Sequence, residues 1–249
     1  VRQAASRTGN LFEPLAAYSV LIGLAATLFW LGRAIPWVLE LAPGVLASAF
    51  IFGPQIAARW SGRPFNSHHM GLVFQPYGRF IRLILVTLLL TWPPYIAGFF
   101  LFYGATCPLD APFHPIPQLL HPMCHLWKGL GTLRIVVPDG FVVTALSQII
   151  LVAFPEEIFF RGYLLGRFEE RWPSRYRLWG THVGLPLVVS SLLFGLGHML
   201  VDLNPARLAV IVPGFIFGYL RLRSGSVAPG AIFHALCNLF AELLHESYF

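Results

Sequence analysis

Apolar runs of about 20 residues follow one another along the whole chain, broken by short polar or proline-rich stretches. Seven can be counted, at about 15–38, 41–58, 80–104, 140–165, 182–200, 206–222 and 227–246. A hydrocarbon layer of ~30 Å needs ~20 helical residues to cross it. The pattern therefore predicts an all-α fold, a polytopic transmembrane helical bundle of about seven spans. The first run continues well beyond the ~7–15 apolar residues of a secretory signal, so no cleavable leader is expected.

Basic residues set the expected orientation. With seven spans, the N-terminus and the loops after spans two, four and six share a side. That side holds Arg2, Arg7, Arg59, Arg63, Arg79, Arg82, Arg167, Arg171, Arg175, Arg177, Arg221 and Arg223. The other side holds Arg33, Lys128, Arg134 and Arg207. The excess places the N-terminus in the cytoplasm and the C-terminus outside.

Composition agrees with the pattern. Of 249 residues, 56% are hydrophobic and 11% charged, whereas soluble domains carry roughly 25% charged residues. A soluble fold is excluded at this length. The net charge of +6 follows from topology and does not imply nucleic acid. One integral membrane domain, 1–249, is the economical organisation, with N-terminal spans and an outer loop over 14–139 and a second part over 140–249. The loop 105–139 is rich in proline and histidine, and "QLLHPMCHLWKGL" suits the bilayer surface, with Trp127 at headgroup level. His121, His125 and Cys124 match no standard zinc spacing, which favours a solvated loop. Cys107 and Cys124 can pair if that loop faces an oxidising compartment. Cys237, in the last run, reads as a small buried hydrophobe.

Ionisable groups inside spans are costly and mark function or a buried partner. Three clusters stand out. In "FPEEIFFRG", Glu157 and Arg161 are four apart on one helical face and can pair. Glu156 is turned ~100° away and has no partner in sequence, which makes it a candidate general base. The competing reading of this stretch alone is a buried ion cluster holding helices together. In "FGLGHM", Phe194 and His198 share a face. In "HALCN", His234 and Asn238 do so. Either pair alone reads as an interhelical polar contact. Together, one acid, two histidines and an asparagine on separate helices form a set suited to activating water and stabilising an oxyanion.

The segments "EEIFFR", "FGLGH" and "HALCN" resemble the EExxxR, FxxxH and HxxxN motifs of the CPBP family, the CAAX prenyl-endopeptidases and their bacterial Abi-type relatives. The likeness covers about 140–240, and "PGFIFGYLRLRSGSVAPGAIFHALCN" is similar to that family's penultimate helix, turn and final helix. It implies an intramembrane glutamic endopeptidase, with 140–249 as the catalytic core. Glu156 would activate water, His198 would help hold it, and His234 and Asn238 would stabilise the oxyanion. Glu157, Arg161 and Phe194 would support them. No cofactor is implied, although Glu156, His198 and His234 are also the ligand types of a catalytic zinc site. The implied partners are the bilayer and a membrane-associated or lipid-modified protein or peptide. The implied location is a cell membrane, the bacterial inner one if the chain is bacterial.

A ruler test stands against simple geometry. With these span limits, straight vertical helices put Glu156 and His198 over ~10 Å apart in depth. A tilted fifth span, different boundaries, or a turn inside a vestibule at "HMLVDLNPAR" would close the gap. A non-catalytic scaffold or chaperone with this fold, and a proton-coupled carrier, are the alternatives. The carrier lacks the repeat symmetry between halves that many carriers have.

Overall fold

The computed structural model describes residues 10–73, 76–107, 124–129 and 135–249. The histidine side chains of the long loop (His114, His121 and His125), together with Arg2, Arg7 and Arg134, lie outside the described residues.

Among the described residues, seven long helices run in chain order: α1 (Phe12–Ala34), α2 (Pro36–Trp60), α3 (Tyr77–Thr106), α4 (Phe141–Arg171), α5 (Leu185–Asp202), α6 (Ile211–Ser224) and α7 (Ala228–Tyr248). A short hairpin, β1 (Tyr176–Leu178) with β2 (Thr181–Val183), joins α4 to α5. A 3₁₀ turn (Pro205–Val210) precedes α6. Six of these helical segments are long and apolar enough to cross a membrane, α6 counting together with its 3₁₀ turn. The seventh, α7, is long enough at 21 residues but carries Glu242, His245 and Glu246 towards its end. The chain is an integral, multi-pass helical membrane protein.

Local sequence explains most boundaries. The residue before a proline is driven to extended backbone, and Ile35 (φ −131°, ψ 95°) ends α1 while Pro36 starts α2. A left-handed Gly225 (φ 78°) caps α6, its N–H donating to the Arg221 carbonyl, and Pro229 opens α7 where a missing N–H costs nothing. At the end of α5, Leu203 turns left-handed (φ 55°) and Arg207 pairs with Asp202 at 2.9 Å. The polar break read from "HMLVDLNPAR" is thus a real end to the helix.

The middle of α4 is the axis of the fold. Phe159, Phe160, Tyr163, Leu164 and Phe168 are buried by Tyr18, Leu21 and Ile22 of α1, Phe50 of α2, Phe194 of α5, Phe217 and Leu220 of α6, and Phe233 of α7. A helix apolar all round belongs inside a bundle. Two π-helical stretches interrupt α4, Gln148–Ala153 and Ile158–Leu164. Pro155 supplies no N–H to the carbonyl one turn earlier, which favours a wider winding just before the first motif.

At one end, Glu13 of α1 is buried among charges. It pairs with Arg63 of the α2–α3 loop and with Arg167 of α4 (3.1 Å), and accepts from Tyr163 Oη at 3.1 Å. Arg63 and Arg167 also both pair with Glu170. Beyond the C-terminal end of α3, Cys107 and Cys124 form a disulfide, Cα–Cα 4.9 Å. That bond occupies Cys124, which is therefore no free thiolate ligand. Lys128 N–H donates to the Tyr248 carbonyl at 2.9 Å, and Trp127 packs among Tyr103, Tyr248 and Phe249.

Candidate active site

The depth conflict disappears because α4 is longer than its apolar run. Its 31 residues continue to Arg171, and α5 starts at Leu185. Measured from the hairpin that joins them, Glu156 stands 15 residues along α4 and His198 13 residues along α5. At ~1.5 Å per residue these are nearly equal heights. The span limits of 165 and 182 were the error, and no special tilt is needed.

Glu156 and His198 meet as a mostly buried pair with some solvent access. His198 Nε2 lies 3.9 Å from Glu156 Oε2, with side chains 28% and 16% exposed. That separation exceeds hydrogen-bond range, and Oε2 of Glu156 has no hydrogen-bond partner among the described residues. His198 Nδ1 lies 2.9 Å from the Phe194 carbonyl. A carbonyl only accepts, so Nδ1 carries a proton, and in the neutral tautomer this leaves Nε2 as the acceptor facing Glu156.

Glu157 and Arg161 are fully buried. Arg161 Nη1 donates to Glu157 Oε1 at 2.8 Å, and Nη2 donates to the Gly214 carbonyl at 3.1 Å. The guanidinium lies 4.0 Å from the ring centroid of Phe194 and 5.2 Å from that of Phe217, so aromatic faces supply part of its stabilisation. His234 also belongs to this buried set. Its Nδ1 is 3.3 Å from Glu157 Oε1, and its ring stacks on Phe217. Phe194 touches both groups, edge-on to the rings of His198 and His234 while it lies against Arg161.

Asn238 is held separately. Its Nδ2 donates to Gln148 Oε1 at 2.9 Å. Among the described residues no hydrogen bond joins Asn238 to the other six candidates. The two acids of the motif are therefore parted as the helical spacing anticipated, Glu157 into the buried ion cluster and Glu156 towards His198. Two features escaped sequence reasoning. Gln148 is an ordinary residue in an apolar run, found only through its partner. The Glu13 cluster carried one signal, an acid in the first turn of a span.

Glutamates and histidines here pair two by two. Among the described residues, no group of three or more His, Cys, Asp or Glu side chains converges as a metal site. Glu156 and His198 face each other, while His234 faces Glu157.

Gly230 lets α7 approach this cluster. A Cβ there would lie 3.1 Å from Glu157 Oε2 and 3.3 Å from the Phe217 carbonyl. Glu157 is held by Arg161 and cannot yield freely. Gly230→Val is expected to lower stability by about 1–3 kcal/mol, read as an earlier thermal transition in detergent. An unchanged transition would mean that the α7 contact is not tight.

Comparison with known proteins bears on this half of the chain. Residues 138–240 match the family model described as Type II CAAX prenyl endopeptidase Rce1-like. No curated protein and no solved structure matches the chain. The matched segment contains all seven candidate residues and Gln148.

Proposed function

We propose that this chain, whose residues 138–240 match the Type II CAAX prenyl endopeptidase Rce1-like family model, hydrolyses a peptide bond in a membrane-associated or lipid-modified protein by glutamate-activated water. The observation that carries the reading is the Glu156–His198 pair. Two acceptors 3.9 Å apart suit a single water making hydrogen bonds of ~2.8 Å to each. Glu156 would take one proton as the water oxygen attacks the scissile carbonyl, and would return it to the leaving amine. His198 would hold the water's second hydrogen through Nε2.

The developing oxyanion needs donors. His234 and Asn238, one turn apart on α7, are the proposed ones, the first lying beside Glu157 and the second hydrogen-bonded to Gln148. Glu157 and Arg161 would act as the rigid support beneath. Water-only chemistry is the preferred form, since Glu156, His198 and His234 divide between two pairs. The proposed orientation keeps the N-terminus in the cytoplasm. It is supported by the excess of arginine on that side and by the Cys107–Cys124 bond on the other, since disulfides persist in oxidising compartments. A bacterial inner membrane is the proposed location.

The test is cleavage of a fluorogenic peptide ending in a farnesylated cysteine, beside its unprenylated form and a panel of transmembrane peptides, with and without a chelator. Cleavage that persists within about twofold under chelator is expected. Loss under chelator with recovery on adding zinc would transfer Glu156, His198 and His234 to a metal mechanism. Tight binding of peptides without hydrolysis would favour the scaffold.

A further inference from the structure

The α4–α5 connection does more than return the chain. Its two strands pair in register, Tyr176 with Val183, Arg177 with His182 and Leu178 with Thr181. The turn is made by Trp179 (φ 40°) and Gly180 (φ 82°). A two-residue hairpin turn with both φ values positive favours asparagine and glycine, yet its first position holds a tryptophan. That tryptophan is 76% exposed, and Tyr176 is 75% exposed.

The hairpin is also held firmly. Tyr219 Oη donates to the Trp179 carbonyl at 3.3 Å, Thr181 Oγ1 to the Leu222 carbonyl at 3.0 Å, and Arg223 Nη1 to the Gly180 carbonyl at 2.6 Å. Arg79 of α3 in turn donates to the Arg223 carbonyl at 3.1 Å. So α3, α6 and the hairpin form one braced end, which presents the two rings outward. Alternation along β1 puts Tyr176 and Leu178 on one face and Arg177, opposite His182, on the other. Arg175 and Arg177 are exposed.

Position identifies what these side chains meet. At ~1.5 Å per residue, the 31 residues of α4 span ~46 Å, more than a ~30 Å hydrocarbon layer. The 18 residues of α5 span ~27 Å. The hairpin therefore links the overshooting end of α4 to the start of α5, where Leu185 and Val188 are exposed apolar side chains. Such a position suits the headgroup layer. Tryptophan and tyrosine favour that layer, and arginine there pairs with phosphate.

We propose that residues 175–183 form a built-in interfacial anchor that binds anionic phospholipid headgroups, with Trp179 and Tyr176 sunk beside the upper acyl chains and Arg175 and Arg177 on phosphates. The inference is independent of the protease reading.

Two measurements in nanodiscs test it. The first takes the emission of Trp179 as the difference between wild type and Trp179→Phe. Quenching of that difference by lipids brominated near the headgroup end of the acyl chain is expected. A water-like, unquenched difference would overturn the anchor. The second compares thermal transitions in phosphatidylcholine alone and with phosphatidylglycerol added. Wild type should gain about 3–6 °C from the anionic lipid, and Arg175→Gln/Arg177→Gln should lose most of that gain. An equal gain in wild type and variant would overturn the phosphate contact. A gain supplied instead by a poly-glutamate peptide in phosphatidylcholine, with Trp179 unquenched, would assign the surface to an acidic protein tail.

Discussion

Glu156→Gln is expected to fold as wild type and to lose peptide hydrolysis by roughly 10²–10⁴-fold, the range for removing a general base. Glutamine keeps the volume and can still accept a hydrogen bond, but it does not take up a proton. Glu156 Oε2 has no hydrogen-bond partner among the described residues, so the substitution breaks no internal network. The loss should fall on kcat with KM little changed, because the proton moves only in the transition state. Glu157→Gln is the control, a change one residue away that strikes the buried pair with Arg161 and should lower the thermal transition. Activity of Glu156→Gln within threefold of wild type would sink the assignment, whatever the family likeness.

The second large effect is on stability. Arg161→Met is expected to cost about 3–5 kcal/mol, because it leaves the Glu157 carboxylate buried beside an apolar side chain. With a chain of 249 residues that corresponds to a thermal transition lower by roughly 6–20 °C. Both side chains are completely shielded from solvent, so neither water nor salt compensates. Adding Glu157→Gln to Arg161→Met should recover much of the loss, since no unpaired charge then remains. The cycle of two single variants and the double measures the coupling. A double variant as unstable as the sum of the singles would mean that packing of the guanidinium between Phe194 and Phe217 matters more than the charge pair.

Sequence reading reached far where periodicity or spacing has a direct physical meaning. Apolar run lengths located the helices to within a few residues for most spans, and four-residue spacing found the Glu157–Arg161 pair that the structure contains at 2.8 Å. The Cys107–Cys124 bond was legible as a condition on compartment. Three features were not legible. Charged residues at 167–171 masked the true end of α4, since hydropathy marks where lipid stops and not where a helix does. Hence the false depth gap between Glu156 and His198. The π-helical stretches on either side of Phe154–Glu157 have one local signal, Pro155, and depend otherwise on packing around the whole helix. Partners distant in sequence, such as Gln148 with Asn238 or Glu13 with Arg167, leave no periodic trace. Neither does the hairpin, whose strands are three residues each.

The cluster around Glu13 has a consequence for how the protein is made. Its acid emerges from the ribosome 154 residues before Arg167, an interval of roughly 8–30 s at ordinary translation speeds. During that time the first span sits in the insertion machinery with a carboxylate answered only by Arg63, which itself follows 50 residues later. The early spans are thus left provisional until the second half arrives. Quality control that surveys unpaired charge in early spans would have its longest opportunity here, and most of that interval passes before the matched segment begins at residue 138.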